Sequence, residues 1–266
     1  MTGIQSLLLG ALQGVAEFLP ISSSGHLLLL RQLMDLGEVP LLYDVLLHVS
    51  TLIVVIIVFR GRIGSIFASI WRALKATAGP GDRENLRLTL YILIATVVTG
   101  AVGFVLSRFE VLFFNQPRLV SLLFLVTAGF LLSTLIRSGQ RDYLQTGFLS
   151  ALIVGLAQGV GVLPGISRAG ITISVALLLG LERQRAGEFS FLIAIPAILG
   201  ALILQLRDAG ALLRMIDPPT LLIGFAASFV IGLLSLLLLL RVVRKGQLAL
   251  FSIYLIPVAV ISFILL

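Results

Sequence analysis

The chain has no cysteine among its 266 residues, which excludes disulfides, thiolate metal ligands and thiol nucleophiles. Charge is scarce as well, at 12% Asp, Glu, Lys and Arg, about half of what soluble domains carry. With 59% hydrophobic residues and a mean hydropathy of +1.15, a water-facing fold has no way to hide the apolar surface. The alternating polarity of a transmembrane β-barrel is missing too, because the apolar runs are continuous. No basic residue precedes Arg31, so the N-terminal apolar run does not read as a secretory signal. The net charge of +7 then points to basic loops and anionic lipid headgroups, with no nucleic acid as partner. What remains is an all-α polytopic membrane protein, a single integral membrane domain over residues 1–266 with no soluble domain or long linker.

The apolar runs divide into six predicted transmembrane helices at about 43–60, 88–107, 117–136, 188–206, 219–240 and 248–266. Four further runs, 3–18, 23–35, 147–163 and 168–181, are too short to span comfortably. They pair into two re-entrant helix–loop–helix units, a form tolerated at membrane depth only when buried in protein or lining a cavity. The loops 60–87, 137–146, 182–187 and 241–246 hold thirteen Lys and Arg, against five (Arg31, Arg108, Arg118, Arg207, Arg214) in the opposite set. The positive-inside rule makes the first set cytoplasmic and places both termini outside. Three spans separate the two re-entrant pairs, so the first enters from the outer face and the second from the inner face. This is an inverted-topology repeat, repeat 1 about 1–136 and repeat 2 about 147–266.

The polar residues concentrate in those two pairs. The first carries Gln13-Gly-Val-Ala-Glu17-Phe-Leu-Pro20-Ile-Ser22-Ser23-Ser24-Gly25-His26, and the second carries Gln158-Gly-Val-Gly161-Val-Leu-Pro164-Gly-Ile-Ser167-Arg168-Ala-Gly170-Ile-Thr172. They align without gaps at an offset of 145. Glu17 meets Val162, Ser23 meets Arg168 and His26 meets Ile171, so one copy carries acid, base and nucleophile candidates while the other carries a cation. Gln13 and Glu17 are four apart and share a helix face. Pro20 ends that helix, and the serines suit the N-cap of the next.

Two short helices would aim their N-termini at one central point, where free N–H groups and the macrodipole favour anions. Arg168 adds a bidentate donor suited to phosphate. Ser22, Ser24, Ser167 and Thr172 add hydroxyls, and Gly25, Gly165 and Gly170 allow close backbone approach. Glu17 supplies a base or a metal ligand, with Gln13 as a second oxygen ligand. Ser23, His26 and a directly attacking water are the nucleophile candidates, and His26 is also a proton shuttle. The bland reading is that Gly and Ser serve helix packing and Glu17 merely pairs with Arg168. It leaves unexplained why Glu17, the serines, His26 and Arg168 all fall in matched loops, and polar groups at membrane depth default to function. Asp44 and His48, four apart at the head of the next helix, read as structural or interfacial residues. Gln158 reads as a helix contact. Trp71 with Arg72 and Lys75 reads as an interfacial anchor.

At these residues the chain resembles the undecaprenyl-diphosphatase (bacitracin-resistance) family of bacterial membrane phosphatases. The first family motif, (E/Q)-x-x-x-E and then F-L-P-x-S-S-(S/T)-G-H, is matched by Gln13, Glu17 and Phe18 to His26. The second, P-G-x-S-R-S-x-x-T, is matched by Pro164 to Arg168 and Thr172, with Ala169 standing where the family has Ser. The stretch Asp44 to Thr51 is similar to a third family stretch, F-D-x-x-L-H-x-G-T, with Tyr43 and Ser50 as variants. The resemblance implies that a C55 polyprenyl diphosphate is cut to its monophosphate at the outer face of the cytoplasmic membrane. It also implies a divalent cation, Mg²⁺ or Ca²⁺, as cofactor. The partners expected are the polyprenyl diphosphate lipid and the membrane, with a homodimer as a further partner to test. The rival reading is a transporter or flippase for a phosphorylated lipid or anion, since inverted repeats with broken helices also mark transporters.

Overall fold

A computed structural model of the chain describes residues 1–36, 39–106, 108, 116–136, 139–205 and 215–265. Arg137, Arg207 and Arg214, and the predicted span ends at 107, 206 and 266, lie outside the described residues. Eleven α-helices occur among those residues, with no strand beyond isolated bridges joining Gly139 to Glu182 and Arg141 to Leu181.

Thr2 caps α1 (Gly3–Phe18) in a capping box with Gln5, and Leu19 and Pro20 end it. Ser22 caps α2 (Ser23–Leu33). The apolar α3 (Leu41–Val58) is followed by α4 (Arg60–Leu74), bent 74° from it at Phe59. The expected loop 60–87 thus contains a helix. Its Phe67, Trp71 and Leu74 share one exposed face, while Arg62 on another face pairs with Glu188 and Arg72 pairs with Asp82. A 3₁₀ turn (Pro80–Asp82) leads into α5 (Arg83–Leu106), and α6 (Pro117–Ser133) follows. The second half runs α7 (Phe148–Val160), α8 (Arg168–Leu178), α9 (Arg183–Gln205), α10 (Pro218–Lys245) and α11 (Leu250–Leu265). Of these, α5, α9 and α10 are long and apolar enough to cross a membrane, and α3 with α4 would make a fourth span.

Small residues decide which helices touch. Helix α1 lies along α10, where a Cβ on Gly10 would sit 2.1 Å from the Gly224 carbonyl oxygen. Helix α7 lies along α5 in the same manner, with Gly155 against Ala95 and Gly159 against Val102. Helix α3 packs on α9, and α6 on α11. Around the short pairs these neighbours leave Ala169 to Leu177 of α8 wholly buried. At the other end of the helices, Arg62 joins Glu84, Asn85 and Glu188, and Arg185 joins Glu84, which ties α4, α5 and α9 together.

Candidate active site

The two polar loops meet back to back. Gly165 sits at φ +97°, where a side chain would be strained, and a Cβ there would lie 2.5 Å from the Val120 carbonyl oxygen. Its N–H donates to Ser22 Oγ at 3.0 Å, and its carbonyl accepts from Thr127 Oγ1 at 2.9 Å. Thr127 also accepts the Ser167 N–H. Gly25 approaches so closely that a Cβ would meet the Phe124 ring and the Gly165 nitrogen. A Cβ on Gly170 would lie 3.1 Å from Pro20. These three glycines therefore let the loops touch and do not face open space. Ser22 and Ser167 cap α2 and α8 by accepting the N–H groups of Gly25 and Gly170.

Glu17 is the hub. Its Oε2 accepts from Ser23 Oγ at 2.9 Å and from Gln13 Nε2 at 3.1 Å, and His48 Nδ1 stands 3.0 Å away. Its Oε1 pairs with Arg168 Nη2 across the two loops. The carboxylate is buried, yet both of its oxygens have a donor or a cation beside them, which is what keeps a charge tolerable there. Arg168 Nη1 and Gln13 Oε1 are buried without a partner. A cavity of about 400 Å³ opens beside this cluster. Glu17, Ser22, Ser23, Ser24, Ser167 and Arg168 line it, together with the apolar stretch of α9 that follows Pro196.

His26 does not join them. Ser24, Leu27, Leu28 and Arg31 form the cavity-facing stripe of α2. At roughly 100° per residue, His26 lies more than a quarter turn outside that stripe's centre. Its Nδ1 is 2.9 Å from the Ser22 carbonyl oxygen and its Nε2 is 2.9 Å from the Tyr254 hydroxyl of α11. The ring stacks on Tyr254 and packs against Phe124. Thr172 is likewise away from the cavity, its hydroxyl donating to the Arg168 carbonyl and paired with Ser190 of α9 at 2.6 Å. Gln13 stands behind Glu17, outside the cavity wall. Conversely, three residues not assigned to the site line the cavity: His48, Asp44 and Arg31. Their signal was spacing. Asp44 and His48 share a face of α3, and Arg31 follows Ser24 by seven residues on one face of α2.

Residues 6–261 match the family model described as bacitracin resistance protein BacA. The chain is 42% identical to the undecaprenyl-diphosphatase of Treponema denticola over 257 residues, which is 97% of this chain and 95% of that one. It is 40% identical to the undecaprenyl-diphosphatases of Carboxydothermus hydrogenoformans (96% of this chain, 94% of that one) and Korarchaeum cryptofilum (96% of each). The match takes in both polar loops and every helix that surrounds them, so the chain belongs to the bacitracin resistance protein BacA family.

Proposed function

We propose that this chain hydrolyses undecaprenyl diphosphate to the monophosphate and inorganic phosphate at the outer face of the bacterial cytoplasmic membrane. This returns the lipid carrier to cell-wall synthesis and confers resistance to bacitracin. One observation carries the reading: a serine hydroxyl donates to a buried carboxylate that an arginine from the other loop holds on its far oxygen. A binding protein has no need of a hydroxyl so paired.

In this reading Ser23 Oγ attacks the terminal phosphorus while Glu17 Oε2 takes its proton. The P–O bond to the lipid-side phosphate breaks, and polyprenyl monophosphate leaves. Glu17 passes that proton to the departing monophosphate. Water then attacks the phosphoserine, and Glu17 takes a proton from the water and gives it to the Ser23 oxygen as the Ser–phosphate bond breaks. Inorganic phosphate leaves with Ser23 and Glu17 restored. Phosphoryl transfer asks mainly for positioning and charge neutralisation. Arg168, with an unpartnered buried N–H, and the N-termini of α2 and α8 offer both. The donor set suits a divalent cation that arrives with the substrate. Among the described residues no three His, Cys, Asp or Glu side chains gather, and Mg²⁺ needs only one or two carboxylates plus substrate phosphates. On the cavity side Glu17 would hold Mg²⁺ or Ca²⁺, which would neutralise phosphate charge, while Gln13 Oε1, buried behind Glu17, would serve only an ion seated on that inner side. His26 acts on the cap of α2 through the Ser22 carbonyl.

The inverted repeat belongs to the same proposal. Helix α1 of the first half packs on α10 of the second, and α7 of the second half packs on α5 of the first, as an exchange of equivalent elements requires. Six spans result if α3, α6 and α11 cross alongside α5, α9 and α10. A homodimer is proposed alongside, to be read from the mass of the detergent-solubilised protein. An inverted repeat with broken helices also suits a carrier for a phosphorylated lipid, which needs no nucleophile. Phosphate release from polyprenyl diphosphate by purified protein in detergent, with no membrane gradient, separates the two. Hydrolysis predicts release by the wild type, its loss in Ser23→Ala, and an acid-stable phosphoserine in quenched turnovers. A protein that binds the lipid and releases no phosphate would be the carrier.

A further inference from the structure

A diphosphate presents two phosphoryl groups, and the site above provides for the terminal one only. The cavity wall holds a second arginine. Arg31, two turns after Ser23 on α2, pairs with Asp44 of α3 through both terminal nitrogens, with Nη1 to Oδ2 at 2.9 Å. Arg168 likewise has a carboxylate partner, reached through Nη2 alone. In each pair the carboxylate takes part of the guanidinium, and one N–H is left buried without a partner: Nη1 of Arg168 and Nε of Arg31. A buried charged donor left unpaired is costly and calls for an explanation. Both arginines border the same cavity of about 400 Å³, which Ser23 and Ser24 also line. Side chains on a helix lean toward its N-terminus, which tilts Arg31 back toward the serines.

We propose that Arg31 is a second phosphate-binding residue, which holds the lipid-side phosphoryl group while Arg168 and the serines hold the terminal one. Asp44 positions the guanidinium at the cavity wall, where the phosphoryl group shares it with Asp44. Arg31 thereby makes the site selective for a diphosphate and stabilises the monophosphate as it leaves. The assignment rests on the diphosphatase reading, yet it is a claim about binding and is tested apart from turnover.

The probe is a polyprenyl methylenediphosphonate, which keeps both phosphoryl groups and is not hydrolysed, titrated calorimetrically into detergent-purified protein. Arg31→Gln alone leaves Asp44 as an uncompensated, largely buried charge, which by itself disturbs folding. The decisive variant is therefore the double change Arg31→Gln with Asp44→Asn, which removes both charges. Its affinity for the diphosphonate should fall by about tenfold or more, the loss expected for a charge-assisted hydrogen bond. Inhibition by polyprenyl monophosphate should weaken with it, and inhibition by inorganic phosphate should not. Arg31→Lys should be intermediate, since a point charge replaces a fork. Wild-type diphosphonate affinity in the double variant would show that Arg31 only neutralises Asp44 and would overturn the proposal. Equal weakening toward lipid monophosphate and inorganic phosphate would overturn it too. If the wild type binds the diphosphonate through Arg31 but releases no phosphate from the diphosphate, the diphosphatase reading fails and the assignment of Arg31 stands.

Discussion

At the scale of single residues, Glu17 carries the most. Replacing it with Gln keeps the shape, removes the proton acceptor for Ser23 and strands Arg168 without its counter-ion. Phosphate release should fall about 10²–10⁴-fold, the range for loss of a positioned base. Thermal stability should fall as well, and Glu17→Gln with Arg168→Gln should recover stability without recovering activity. Arg168→Lys should be nearly as inactive as Arg168→Ala, because an ammonium cannot bind Glu17 and a phosphate at once with a planar fork. A Lys variant with full turnover in the phosphate assay would show that only a point charge matters. His26 makes a different case. Its type and motif announce chemistry, but its partners are the Ser22 carbonyl and the Tyr254 hydroxyl. Tyr254→Phe should therefore reproduce part of the His26→Ala defect, several-fold in kcat, by loosening the α2 cap. A His26 that touched phosphate itself would leave Tyr254→Phe silent. Residue types named Glu17, Ser23 and Arg168; which way each side chain turns depended on helix phase and on neighbours 228 residues away.

At the scale of elements, close helix crossings decide where the loops end up. Gly10 meets the backbone of Gly224, so Gly10→Leu must force α1 and α10 apart. A loss of about 1–3 kcal/mol or more is expected, read as a lower unfolding temperature in detergent. Gly165→Ala combines a positive φ with a clash at Val120 and should break the Ser22 contact between the loops. Activity should drop more in that variant than unfolding temperature does. The short helices were legible because apolar runs, Pro20 and serine caps mark their ends directly. Helix α4 was not. Its charges at Arg60, Arg62 and Arg72 break any apolar run, and such runs are what mark the helices of this chain in its sequence.

At the scale of the molecule, charge asymmetry predicts an orientation with both termini outside. A chain without cysteine allows a direct measurement, since any introduced thiol is the sole one. Gln116→Cys and Thr77→Cys both alter exposed positions outside the apolar helices. In intact cells a membrane-impermeant maleimide should label the variant at 116 and not the one at 77. The reverse pattern would turn the cavity toward the cytoplasm and sink an outer-face reaction. The pairing of α1 with α10 and α7 with α5 adds a second expectation. Gly155→Leu should cost about as much stability as Gly10→Leu if the two crossings are the equivalent ones of the proposed inverted repeat.

The sequence by itself determined the medium, the helical class and the two polar loops. Hydropathy, charge and the offset of 145 are sums or periodicities along the chain and need no contacts to read. Only the tertiary structure decided that Glu17 is shared by Ser23, Gln13, His48 and Arg168, and that Arg31 and Asp44 reach the same cavity. Those groups come from α1, α2, α3 and α8, and the distances between them follow from how four helices pack, which no local pattern encodes.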